Sequence, residues 1–427
     1  MDDMNHKMEM AGENGSDWIL ISHISLQIIA WGFIFPIGMV FGLTRSRWHV
    51  PLQLVGISLT LLGIFVGHSH GHQFPHVAHA SFASWILFLV IGQGIMGTYL
   101  KLHWNRGLNA KLRPMVVFLH GVLGRAFPVI GYAQMVLGVI AATGFCFADH
   151  FGQCLAHFIM GSSFIAYGIV MILILRVGGP WLRRRNKSPE WYDSWVIMLW
   201  GIVNAFTEHR WGQPWNHGDM QHTSLGILWW TGGMVGIFLS RNGKRSVVPA
   251  LVILFTGYSM VGHAQHSQYS LKIHSLFGYV LMSGAISRII EVCFVVNENS
   301  EMDKIHPFQH LPCFLLILSG YLFMGATEEQ VQTFERIMID VSSYGNVLIS
   351  FAFITFLYTH GLITLWQRSG QNAQRSAMNG HRLSIDRNGH MILADHDSLE
   401  FSEEQKDFEE ELEMGCLNDD YENEGRS

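Results

Sequence analysis

The sequence predicts an all-α, polytopic membrane protein with about eleven transmembrane helices in two parallel helical repeats. Three observations predict it. Of 427 residues, 49% are hydrophobic and 12% aromatic, while only 14% are charged, against about 25% in ordinary soluble domains. Eleven apolar stretches approach the ~20 residues a helix needs to cross the hydrocarbon core. Landmarks of the first part of the chain recur, in order, in the second. The composition excludes a soluble globular enzyme, and the lack of a domain-wide basic face disfavours nucleic acid as a partner. The net charge of −6 is unevenly spread: residues 368–427 hold 6 Lys/Arg and 15 Asp/Glu, leaving the rest at +3.

Residues 1–17 form a polar segment, expected outside the membrane. The apolar stretches follow at 18–42, 51–68, 79–100, 114–142, 155–178, 193–207, 222–240, 246–263, 273–296, 309–326 and 343–367. The first lacks a small-residue cleavage site, so it reads as a retained helix rather than a removed signal peptide. Residues 18–178 make the first repeat, 179–221 a linker with one helix, and 222–367 the second repeat. The acidic tail 368–427 reads as disordered. Basic residues crowd alternate loops: Arg45 and Arg47; Lys101, Arg106, Lys111 and Arg113; Arg176 and Arg183–Lys187; Arg241, Lys244 and Arg245. The positive-inside rule then puts the N-terminus outside or in a lumen and the tail in the cytosol, in a plasma membrane or endomembrane. An odd number of spans agrees.

The repeat rests on named residues. His23-Ile-Ser-Leu is followed by Trp31, eight after the His; His222-Thr-Ser-Leu is followed by Trp230 at the same interval. Val50-Pro51 matches Val248-Pro249, Val66-Gly-His68 matches Val261-Gly-His263, His79 matches His274, and Gly131-Tyr132 matches Gly320-Tyr321.

The chain has 24 His, and several stand at matched depth. His23 and His79 open helices that both run inward, so a b-type haem held by one imidazole on each side of the iron is expected between them. Gly32, Gly38, Gly92, Gly94 and Gly97 would allow close approach of a macrocycle or a helix. His222 and His274 repeat this pair. His49 and His120 stand near the inner face and allow an inner haem. In the second copy only His310 answers His120, so that copy is expected to hold one haem at most. Arg125 lies deep in the fourth stretch, where a charge is costly unless paired, and is expected to neutralise a haem propionate or a bound anionic donor. Arg288, one turn from Glu291, is expected to be locally paired or snorkelling.

The outside loops are rich in metal-ligand types: His68, His70, His72 and His76; Glu208 and His209; His217, Asp219 and Met220; His263 and His266. Imidazole and carboxylate suit Zn, Cu or Fe, and Met1, Met4, His6, Met8 and Met10 are spaced like soft copper ligands. Five Cys are too few for a disulfide framework. Cys146 and Cys154 share an outside loop, where a local disulfide and two separate thiols both stand open.

Two resemblances follow. His23 with "AWGFIFPIGMVFG", then "LQLVG", His79 on a Gly-rich helix and "LHGVLGR" around His120 resemble the haem-bearing four-helix core of cytochrome b561-type proteins. The longer C-terminal part, through "GFCFADHFGQCLAHFIMGSSFIAYG" and "DMQHTSLGILWWTGG", resembles the fungal YTP-like family. The likeness covers roughly residues 18–367. It implies two b561-like repeats and a transmembrane oxidoreductase passing electrons through b haems. His23/His79 would ligate the outer haem and His49/His120 the inner one. The donor would be a small cytosolic molecule of ascorbate type or a separate protein, and the acceptor ferric or cupric ion outside. The alternative expectation is a haem-free metal-binding or metal-transport protein using the outside clusters. Membrane lipid is the expected surrounding, and a homo-oligomer is compatible with either reading.

Overall fold

A computed structural model describes residues 18–69, 78–102, 107–146, 151–207, 209, 212, 214–262, 267–296 and 305–373. The polar segment 1–17 and most of the acidic tail lie outside them. The helices are α1 Trp18–Leu43, α2 His49–Ser69, α3 Ala78–Lys101, α4 Leu108–Thr143, α5 Phe151–Val177, α6 Gly179–Arg185, α7 Pro189–Thr207, α8 His217–Leu239, α9 Val248–Val261, α10 Gln268–Val295, α11 His310–Met324, α12 Glu328–Arg336 and α13 Val341–Arg368. No strand occurs among the described residues.

Among the described residues, eight helices are long and apolar enough to cross a membrane: α1 to α5, α10, α11 with the turn before it, and α13. The other three of the eleven expected stretches fall short of that length and composition. The stretches at 193–207, 222–240 and 246–263 are indeed helical, as α7, α8 and α9. However, α7 carries Glu190 and Asp193 in its first turns and α8 opens on His217, Asp219 and Gln221. The 14 residues of α9 rise only about 21 Å. Phe65, Phe88, Val129 and Leu357 are each more than two-thirds exposed, a surface suited to lipid contact.

The chain divides into two compact units, one reaching Thr143 and resuming at Thr364, the other Gly144–Ile363. The repeat boundary read near 178 therefore falls inside the second unit.

In the first unit α1 packs along α2, and α3 along α4. α1 is interrupted by a π-helical turn at Ile28–Ile34, just before Pro36. A small core of Ala30, Trp31, Phe35, Ile86, Val90 and Phe127 joins the helices. The Trp31 ring lies 4.7 Å from Phe35 and 5.5 Å from Phe127. Its indole occupies the space a Cβ on Gly131 would take.

The second unit is built on glycine contacts, as expected where apolar burial gives helices little reason to associate. Backbones meet at Gly201 with Gly226 on α7 and α8, at Gly257 with Gly278 on α9 and α10, and at Gly161 with Gly320 on α5 and α11. α8 leans chiefly on α7 and α11 on α5, both partners lying outside the second sequence copy. Buried charges tie these helices together. Arg245 and Arg288 both donate to Glu190 at 2.7–2.8 Å, and Arg288 also reaches Glu291 at 2.7 Å. The local pairing expected for Arg288 is present, with Glu190 as a second partner. Tyr167 donates to Asp193 beside them.

Candidate functional site

The first unit builds its site from two matched helix pairs. On α1 and α2, His23 and Gln27 are four residues apart, as are His49 and Gln53. Each set lies against two glycines, also four apart, on the other helix. His23 meets Gly67 and Gln27 meets Gly63; His49 meets Gly42 and Gln53 meets Gly38. A spacing of four keeps side chains on one helix face, so the arrangement has an approximate two-fold logic. α3 and α4 use a variant of it: His79 sits against Gly138 with Gln134 one turn away, and His120 against Gly97 with Gln93 one turn away. Of the glycines expected to permit close approach, Gly38 and Gly97 do so. Gly92 has open space around it, and Gly32 and Gly94 meet only an isoleucine side chain at 3.8 Å.

These cradles hold four imidazoles in two facing pairs. The His23 and His79 ring centroids are 6.3 Å apart with planes at 85°. Those of His49 and His120 are 6.3 Å apart at 89°. Gly38, which accepts from His49, is fifteen residues beyond His23 on α1, so the pairs are about 22 Å apart along the helix axis. The Trp31 core fills the interval. The helices sharing a pair, α1 with α3 and α2 with α4, are not close-packed neighbours.

The hydrogen bonds set the ring chemistry. His23 Nδ1 lies 2.7 Å from the Gly63 carbonyl and His49 Nδ1 2.8 Å from that of Gly38. A carbonyl only accepts, so both rings carry Nδ1–H and keep the lone pair on Nε2. The Gln134 amide nitrogen is 3.1 Å from His79 Nδ1 and 3.0 Å from the His79 carbonyl. Gln134 Oε1 is buried without a hydrogen-bond partner. His120 Nδ1 is likewise buried without a hydrogen-bond partner.

Two axial imidazoles on one metal, each bond about 2.0 Å long, put their ring centroids roughly 6 Å apart. Both pairs meet that distance. The residues fit a b-type haem at each pair.

A family model described as "Protein YTP1-like, C-terminal" matches residues 130–367, and one described as "Domain of unknown function (DUF2427)" matches residues 3–103. The chain belongs to the YTP1-like family. It is 47% identical to Protein YTP1 of Saccharomyces cerevisiae over 244 residues, 56% of this chain and 53% of that protein. An uncharacterized membrane protein of Schizosaccharomyces pombe is 23% identical over 80% of this chain and 92% of its own length. A second uncharacterized membrane protein of S. cerevisiae is 26% identical over 53% of this chain and 46% of its own length. The chain thus aligns with about half the length of its S. cerevisiae relatives. No solved structure matches. In this YTP1-like chain, His23, His49 and His79 fall in the N-terminal match, and His120 falls between the two matched segments.

The remaining expected residues are dispersed. The ring facing His274 is that of His157, at 6.0 Å, not that of His222, which sits on α8 with its carbonyl bonded to Asn204. His310 faces His360 at 4.9 Å, too near for an axial pair. Arg125 is exposed on α4. Among the outside clusters, His70, His72, His76, His263 and His266 lie outside the described residues. His68 is exposed and bonds the Ile64 carbonyl on its own helix. His217 opens α8, exposed. His209 stacks on Trp215 at 3.7 Å and lies 3.1 Å from Asp219. That contact, with further bonds from Asn216, holds the Asp219 carboxyl below its usual range. Among the described residues, the one group of three potential ligands that comes together is Cys146, Cys154 and Glu329. There the two cysteines form a disulfide, and Glu329 accepts from the Cys146 backbone N–H.

Proposed function

We propose that this chain is a b-type haem membrane protein of cytochrome b561 character that passes electrons across the bilayer, with His23/His79 at one haem and His49/His120 at the other. The observation that carries the reading is the pair of facing imidazole sets, each 6.3 Å between centroids. Haem supplies a centre that accepts and releases one electron.

The protein's part is positioning. The Gly63 and Gly38 carbonyls fix the tautomer and rotation of His23 and His49, leaving Nε2 to bind. Gly42, Gly67, Gly97 and Gly138 leave room for the four rings. Trp31, Phe35 and Phe127 fill the space between the pairs with apolar side chains, which excludes water from it. Arg125 supplies a cation on α4 for a haem propionate or an anionic donor. The basic loops assign the His49/His120 end to the cytosol, where a small reductant or a separate protein would deliver electrons. Ferric or cupric ion is the proposed acceptor on the other face.

The test is absorption spectroscopy of the purified full chain, oxidised and dithionite-reduced. A b-type spectrum is expected, with about one haem lost in His79→Ala and one in His120→Ala. Rings set at right angles also favour a strongly anisotropic low-spin ferric EPR signal. Purified, folded protein with no haem band overturns the reading. If metal analysis of that protein finds bound copper or zinc instead, the haem-free metal-binding function replaces it.

A further inference from the structure

The second unit contains a third facing pair of imidazoles that the repeat did not anticipate. His157 on α5 and His274 on α10 each stand six residues into their helix. Their ring centroids are 6.0 Å apart with planes at 83°. We propose that these two histidines hold one transition-metal centre axially between them, either the iron of a further haem or a bare copper or zinc ion.

Three features support this assignment. First, both rings are oriented for it. Nδ1 of His157 lies 2.8 Å from the Gln153 carbonyl and Nδ1 of His274 lies 2.9 Å from the Ser270 carbonyl, each four residues back on the same helix. Each ring therefore carries Nδ1–H and presents Nε2 as the ligating atom, the arrangement in which the second nitrogen of a metal-bound His is committed to a carbonyl. Second, the spacing is that of an axial pair rather than of ring contact. His310 and His360, in the same unit, touch at 4.9 Å; His157 and His274 stand about 1 Å further apart, close to the roughly 6 Å that one interposed metal requires. Third, the surroundings are dry and fixed. The residues are only 9% and 3% exposed, and Phe323 stacks on His157 at 4.6 Å and packs against Phe277. The Cys146–Cys154 disulfide closes one turn before His157. Neutral imidazoles suit iron, copper and zinc rather than magnesium or calcium. As in the first unit, the helices carrying the pair, α5 and α10, are not close-packed neighbours.

In its haem form this inference rests on the function proposed above; in its bare-ion form it stands alone. The experiment measures haem per chain and non-haem metal per chain on the purified full-length protein. It compares the wild type, His157→Ala, His274→Ala, and a His79→Ala/His120→Ala double variant. A haem at this site predicts about three haems in the wild type and two in either single variant. A bare ion predicts one copper or zinc per chain that both single variants lose while haem content is unchanged. Wild-type values of both quantities in His157→Ala and His274→Ala overturn the proposal. The double variant reports on the other reading alone: unchanged haem there removes the first-unit sites without touching this one. Should the alanine variants fail to fold, His157→Gln keeps a polar side chain at the position and answers the same question.

Discussion

Each imidazole of the first unit rests on a glycine of the neighbouring helix, and that contact is the most sensitive point of the site. A Cβ on Gly67 would lie 2.6 Å from His23 Nδ1, whereas one on Gly94 meets nothing closer than 3.8 Å. Gly67→Leu should therefore displace His23, remove about one haem per chain and cost ~1–3 kcal/mol through overpacking. Gly94→Ala should leave both haem content and thermal midpoint unchanged. Equal haem in the two variants would show that the cradle does not matter. Asp219 gives a prediction of a different kind. Its carboxyl is held low by His209, so the contact contributes above the usual carboxylate pKa and is lost as pH falls through the depressed folded value. Limited proteolysis of the 208–216 stretch should accelerate there in the wild type. In Asp219→Asn the rate should already be high at neutral pH.

At the scale of helices, the sequence was most legible where a period decides the outcome. Every expected apolar stretch is helical where it is described, whereas the four-residue steps His23–Gln27 and His49–Gln53 were not singled out from the sequence. Which element faces which could not be read directly. The His222/His274 pairing came from matching two sequence copies, but α5 lies outside the second copy and it is α5 that brings His157 to His274. Pairing between helices is fixed by tertiary packing, which the order of landmarks does not encode. The other three expected spans, α7, α8 and α9, are helices too, but charges such as Glu190 and the length of α9 keep them short of the ordinary spanning pattern. Gln93 and Gln134 were missed because a lone glutamine in an apolar run carries no signal until its partner helix is known. Glu190, only 1% exposed, is the joint between α7, α10 and the Arg245 loop. Glu190→Ala leaves two guanidinium groups without their main counter-charge and should cost about 3–5 kcal/mol, read as a large drop in the thermal midpoint of the purified protein. A midpoint like that of the wild type would mean that other carboxylates suffice.

Across the whole chain, composition alone established a membrane protein, and the two compact units divide its work differently. The first carries half-buried histidines cradled by small residues. The second carries a nearly closed histidine pair, a disulfide and a buried charge network. The asymmetric distribution of Lys and Arg over the loops is the ground for proposing inner and outer faces, and an acidic tail on the donor's face would repel anionic donors at low ionic strength. Raising salt should then speed reduction by an anionic donor, and removing residues 374–427 should abolish that salt effect; a salt response that survives truncation would locate its cause in the loops.

The π-helical turn in α1 has a consequence for how the two halves of that helix are aimed. A wider turn accommodates one additional residue, and one residue corresponds to about 100° of rotation about a helix axis. Above the turn, His23 and Gln27 point at α2; below it, so do Gly38 and Gly42. Excising a single amino acid between Ile28 and Ile34 would let the segment wind as ordinary α-helix, and the lower glycines would swing a quarter-turn or more off their target. His49 would lose its seat while His23 kept its own, uncoupling two ends that a straight rod of the same composition could not serve together.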